Sequence, residues 1–100
     1  FYVGVLGNAA PVAFPAVEMD FSGLPAGKPR ILDGKAKWDE SSVEYKGTKS
    51  VLAAGLSGEL AAKLAKVALE AYRACRVRDY GRVDLRLAPT GDIFVIEVNA

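Results

Sequence analysis

Apolar residues along the chain fall into segments with different periods. FYVGVL (1–6) is dense in β-branched and aromatic residues and runs into Gly7-Asn8, which predicts a strand ending in a turn. VAFPAVEMDF (12–21) is a second strand-like run in which Pro15 marks an edge or an interruption; together the two predict a hairpin. A different period takes over in SGELAAKLAKVALEAYRACRV (57–77). There Leu60, Leu64, Val67, Ala71 and Cys75 recur at spacings of four, three, four and four, laying one apolar stripe along a helix. Lys63, Lys66, Glu70 and Arg73 lie off the stripe, Ser57 suits the N-cap, and Glu59 in the first turn complements the helix dipole. On that stripe Cys75 is expected to be a buried small hydrophobe rather than a nucleophile.

The connecting segments are less regular. SGLPAGKPR (22–30) is a loop by its Gly and Pro content, and RILDGKAKW (30–38) has room for a short strand. DESSVEYKGTKS (39–50) has no apolar period and reads as an exposed, mobile loop. The closing stretch, GRVDLRLAPTGDIFVIEVNA (81–100), reads as two strands and a turn. The order β-β, loop, helix, β-β predicts an α+β fold, an antiparallel sheet with one long helix.

Strand alternation gives the closing hairpin its chemistry. Arg82, Asp84 and Arg86 share one face, and Val83, Leu85 and Leu87 share the other. On the return strand Val95, Glu97 and Asn99 share a face, with Phe94, Ile96 and Val98 opposite. Matching the apolar sets calls for a turn centred on Thr90-Gly91. Leu87 then faces Phe94, Arg86 faces Val95, Asp84 faces Glu97, and Arg82 faces Asn99. Two carboxylates and an amide are thereby clustered on the polar face. Hard oxygen donors of this kind suit Mg²⁺, which keeps waters and leaves places for phosphate oxygens. An ion-pair lattice, in which Arg82 and Arg86 neutralise Asp84 and Glu97, accounts for the same pattern.

Composition narrows the choices. One hundred residues, about half of them apolar, suffice for one small domain. A net charge of +1 is no footprint for nucleic acid or an anionic membrane surface, and no apolar run approaches the roughly 18 residues of a membrane span. The absence of histidine excludes Ser-His and Cys-His nucleophilic catalysis and histidine-based zinc sites. A single cysteine forms no internal disulfide and points to a reducing compartment. The chain opens on Phe1 inside a strand-like run and closes on EVNA, and is expected to be an excerpt of a longer protein.

RDYGRVDLRL, a short glycine-containing turn, and IFVIEVNA closely resemble the last metal-binding hairpin of the ATP-grasp ligases, in the D-alanine–D-alanine ligase-like branch. The resemblance implies that Asp84, Glu97 and Asn99 bind the magnesium ions bridging the ATP phosphates, and that Arg82 stabilises charge at the reacting centre. It extends upstream. FYVGVLGN and VAFPAVEMDF are similar to the strands after the family's adenine-side hinge, and KAKWDESSVEY to its mobile loop, where Lys37 matches the lysine that reaches the phosphates. A solvated loop lysine is the alternative for Lys37. Ile96 matches an apolar residue bordering the adenine pocket, although simple alternation puts it on the face opposite Glu97. Arg86 departs from the pattern, since relatives often place an apolar residue there.

What the resemblance implies is the C-terminal subdomain of the ATP-grasp region, spanning residues 1–100 as a partial domain. The parent would be a cytoplasmic, ATP-dependent carboxylate–amine ligase with ATP and Mg²⁺ as cofactors, Mn²⁺ as a substitute, and a small carboxylate or amino acid as partner. It would form an acyl phosphate, with cell-wall D-amino acids as one substrate class. No nucleic acid or membrane partner is expected, and a homodimeric parent fits the family. The alternatives are a non-catalytic α+β binding module and a ligase for a different carboxylate.

Overall fold

The computed structural model describes residues 1–31, 34–47 and 49–100. They form two compact units, Phe1–Val17 with Leu52–Ala100, and Glu18–Val51.

The larger unit is an antiparallel sheet with one long helix. Strand β1 (Tyr2–Leu6) pairs with β5 (Tyr80–Leu87), which pairs with β6 (Ile93–Asn99). On its other edge β1 meets β2 (Val12–Ala13) and, through Tyr2, Val17 at the start of β3 (Val17–Asp20). The expected hairpin is present, and its second run is interrupted around Pro15. Val3, Val5, Val83 and Leu85 point to one face and are about 1 % exposed or less.

Helix α3 (Gly58–Ala74) covers that face with Leu64, Ala68 and Tyr72. Burying each large apolar side chain of such a core stabilises the fold by about 1.5–3 kcal/mol. Ser57 caps α3 as expected, its hydroxyl accepting from the Leu60 N–H at 3.1 Å. The far end departs from expectation, for Cys75 is exposed rather than buried. The helix stops one residue earlier, and Cys75 is its C-cap. The chain then turns through Arg76 at φ 53°, with the Val77 N–H bonded to the Tyr72 carbonyl at 3.1 Å. Within the helix the buried line runs through Leu64, Ala68 and Tyr72, with Val67 and Ala71 of the expected stripe only half-buried beside it. The Tyr72 hydroxyl reaches the Gly7 carbonyl at 2.7 Å, tying the helix to the end of β1.

The smaller unit holds the remainder of β3, the short helices α1 (Gly34–Trp38) and α2 (Val43–Lys46), and most of β4 (Lys49–Leu52), the neighbour of β3. Two expectations are corrected here. The stretch at 30–38 carries a helical turn where a strand was expected, and 39–50 carries α2 and the start of β4 where a loop was expected. Positions 32, 33 and 48 of these stretches lie outside the described residues. Helix α2 forms without an apolar period because Ser42 caps it, accepting from the Tyr45 N–H at 3.0 Å.

Candidate functional site

The β5–β6 ladder decides which polar side chains meet. Arg82 pairs with Asn99, Val83 with Val98, and Asp84 with Glu97, as alternation predicts. Between Asp84 and Leu85 the register shifts by one, so Leu85 pairs with Val95, Arg86 with Phe94, and Leu87 with Ile93. This β-bulge corrects the expected Leu87–Phe94 and Arg86–Val95 pairs. Ile96 is the extra residue, and a one-residue slip moves the strand beyond it to the other face. Phe94 therefore lies across from Arg86 on the polar side, while Leu85 is fully buried. The hairpin loop spans 88–92, with Gly91 at φ 91° and the Ala88 N–H on the Asp92 carbonyl at 2.8 Å.

Four of the six candidate residues are thus brought together: Arg82, Asp84, Glu97 and Asn99. Ile96 adjoins them on the bulge and is 62 % exposed, so the simple alternation expected of it does not apply. Lys37 belongs to α1 of the smaller unit and is exposed, outside the group that the hairpin assembles.

Asp84 is the buried member, 7 % exposed. Arg82 grips it with both ends of its fork, Nε to Oδ1 at 2.8 Å and Nη2 to Oδ2 at 3.2 Å. The Asn99 amide donates to Asp84 Oδ2 at 3.4 Å. The ion pair holds Arg82 above its already high ordinary pKa. One limb of the lattice reading is thereby present. Glu97, directly across from Asp84, is exposed and makes no hydrogen bond or ion pair among the described residues. Facing carboxylates weaken a sheet, so a single arginine leaves this pair short of positive charge.

Sequence reasoning missed Tyr2. It lies across β1–β5 from Asp84, and its ring carries the Arg82 guanidinium, Cζ 4.3 Å from the centroid. Burial raises its phenol pKa, with further raising by Asp84 and Glu97 and an opposing pull from Arg82. The only signal was its place opposite the Val3/Val5 face of the first strand.

Two carboxylates and an amide can present three oxygens to a hard divalent cation once the Asn99 amide turns its oxygen inward. No cluster of three or more His, Cys, Asp or Glu occurs among the described residues, so any such ion would lean on the amide, water or substrate oxygens. A cavity of about 370 Å³ in the same unit is lined by Val3, Phe14, Leu56, Leu64 and smaller residues, with no charged side chain.

A sheet carrying one long helix, with acidic and amide side chains on its open face, defines an α+β module built around a polar hairpin. The chain matches, over residues 1–100, the family model described as D-ala D-ala ligase C-terminus, and it belongs to that family. It is 34 % identical over 98 residues to D-alanine–D-alanine ligase B of Xanthomonas campestris pv. campestris, covering 97 % of this chain and 26 % of that protein. It is 31 % identical over 99 residues to the protein y4sG of Sinorhizobium fredii, covering 99 % of this chain and 27 % of that one. Among solved structures it resembles the D-alanine–D-alanine ligase from Coxiella burnetii, with a TM-score of 0.67, 19 % identity, and coverage of 98 % of this chain and 21 % of that one. The chain therefore spans about a quarter of the length of the curated relatives it matches.

Proposed function

We propose that this chain supplies the metal- and phosphate-handling hairpin of an ATP-dependent carboxylate–amine ligase of the D-alanine–D-alanine ligase kind, acting in the cytoplasm. The observation that carries this reading is the pairing of Asp84 with Glu97 and of Arg82 with Asn99 on one face of a rigid two-strand ladder. Like charges are placed face to face at a cost to the sheet, and a shared cation would offset that cost.

In this reading Asp84, Glu97 and Asn99 would hold Mg²⁺ or Mn²⁺. A divalent cation supplies neutralisation of phosphate oxygens during transfer of the ATP γ-phosphoryl group to a carboxylate. The chain's own residues supply the setting of that ion. Asp84 is fixed by burial and by two donors, which sets the direction of its lone pairs. Glu97 stays open to solvent and adjusts to the load. Arg82 is the cation nearest the pair and meets negative charge as an amine attacks the acyl phosphate. Lys37, exposed on α1, would reach phosphate, and Ile96 would border the adenine. D-Alanine is the first substrate to try, since the Xanthomonas relative is a D-alanine–D-alanine ligase.

The test uses the full-length ligase carrying this chain, with Asp84→Asn and Glu97→Gln combined. D-Alanine-dependent phosphate release from Mg-ATP should fall by about 100-fold or more. Mn²⁺ binding, followed by electron paramagnetic resonance, should weaken in parallel. A second reading, a purely structural ion-pair lattice, is favoured by the Arg82–Asp84 pair. It predicts a lower melting temperature with turnover and Mn²⁺ binding unchanged, and that result would sink the metal assignment.

A further inference from the structure

Arg82 is held by two restraints that respond differently to a cation. One is the ion pair to Asp84, Nε to Oδ1 at 2.8 Å. The other is the Tyr2 ring, 4.3 Å beneath the guanidinium carbon. A divalent cation on Asp84 competes for the same carboxylate lone pairs and repels the guanidinium, so the first restraint weakens when the site is loaded. The second depends on the π face alone, and no charge change at Asp84 removes it.

The sheet reserves room for this contact. Tyr2 stands across from Asp84, and the next β1 position on the same face, across from Arg82, is Gly4, which has no side chain to compete for the guanidinium. A Cβ at Gly4 would also come within 3.3 Å of the Phe14 ring. The Arg82 side chain is 48 % exposed, so without the ring its long, flexible stem would swing into water once Asp84 let go.

We propose that Tyr2 is a positioning residue for Arg82, its ring keeping the guanidinium beside the carboxylate pair when Asp84 turns to a cation. This rests on the function proposed above. The ring acts through its face and not its hydroxyl, so phenylalanine should replace it and an aliphatic side chain should not.

The experiment compares Tyr2→Phe, Tyr2→Leu and Arg82→Ala in the full-length ligase. Tyr2→Phe should keep kcat within about two-fold, while Tyr2→Leu should lower it about three- to ten-fold with the KM for ATP unchanged, as loss of one cation–π contact implies. In the metal-free protein, the Arg82 Nε–H proton resonance should carry a ring-current shift that Tyr2→Phe keeps and Tyr2→Leu abolishes. Tyr2→Ile, a better strand former, repeats the comparison if Tyr2→Leu lowers the melting temperature. Equal losses in Tyr2→Phe and Tyr2→Leu, or full kcat in Tyr2→Leu, would overturn the positioning role. If Arg82→Ala costs activity while Tyr2→Leu does not, Tyr2 alone is refuted. If Arg82→Ala is itself silent, Arg82 has no role at the reacting centre and the proposed function loses it too.

Discussion

The two units of the chain are stabilised by different means. All seven fully buried apolar residues found among the described positions, Val3, Val5, Leu64, Ala68, Tyr72, Val83 and Leu85, belong to the larger unit. The smaller unit has none of them, and its tryptophan, Trp38, is 82 % exposed. Polar contacts stand out there instead. Asp39 accepts from the Ser41 N–H at 3.1 Å and from the Ser41 hydroxyl at 2.6 Å, and the Ser50 hydroxyl meets the Met19 sulfur at 3.3 Å. Desolvated apolar area is expected to make the first unit cooperative, whereas a unit held by exposed hydrogen bonds is expected to open at lower cost. The polar hairpin stands on the cooperative unit, where the proposed function would need ligand geometry to be fixed. Lys37 stands on the other, where a side chain is free to adapt.

The strongest challenge to this contrast is a cavity in the first unit. Leu64 is 1 % exposed at the centre of the helix–sheet contact, and Leu64→Ala should destabilise the full-length protein by about 2–5 kcal/mol in urea unfolding. Trp38→Ala should change stability by no more than about 0.5 kcal/mol, despite removing a larger side chain. A large loss at Trp38 would show that the parent buries it, and the contrast between the units would then belong to this chain alone.

A glycine probes the second unit from within. A Cβ on Gly47 would lie 2.7 Å from the Gly23 carbonyl carbon and oxygen, and backbone does not swing aside as a long side chain does. Gly47→Ala should cost about 1–3 kcal/mol, the range for overpacking a tight contact. Its signature is regional. Amide exchange should speed up between residues 18 and 51, with β5 and β6 unaffected. Equal acceleration in β5 would mean that the units unfold as one.

Legibility in the sequence follows the same division. The face pattern of β5 could be read because polar Arg82 and Asp84 alternate with apolar Val83 and Leu85, and a wrong register would bury charge. The bulge could not be read, since Phe94, Val95 and Ile96 are all apolar and nothing in that run marks which of them is the extra residue. The end of α3 was hidden for a related reason. Arg76 takes the positive φ usually marked by glycine, so the apolar stripe seemed to continue to Cys75. Helices α1 and α2 have no apolar face to give a period, and the cap at Ser42 was their one local signal. The candidate site was legible as far as the hairpin carries it: Arg82, Asp84, Glu97 and Asn99 meet through one local pairing. Tyr2 joins them through a ladder between residues 82 positions apart, which alternation within either strand does not specify.

The smallest effect is expected at Asp20, a half-buried residue at the end of β3 in the second unit, whose carboxylate is held chiefly by Ser22 with a weaker pull from Lys49. The Ser22 side chain, and after it the Ser22 N–H at 2.9 Å, hold its pKa below the ordinary 3.8. Both donors favour the charged form, so this turn is steadied above the ordinary carboxylate pKa and loses that support as pH falls through the lowered value. In a carbon-detected NMR titration, Ser22→Ala should move the Asp20 midpoint upward but only part of the way, because the backbone donor survives the substitution. Global unfolding should not respond, since the turn opens without disturbing the buried residues of the other unit. If acid unfolding of the whole protein shifted along with the Asp20 midpoint, the second unit would be coupled to the core, and local hydrogen bonds would not account for its stability.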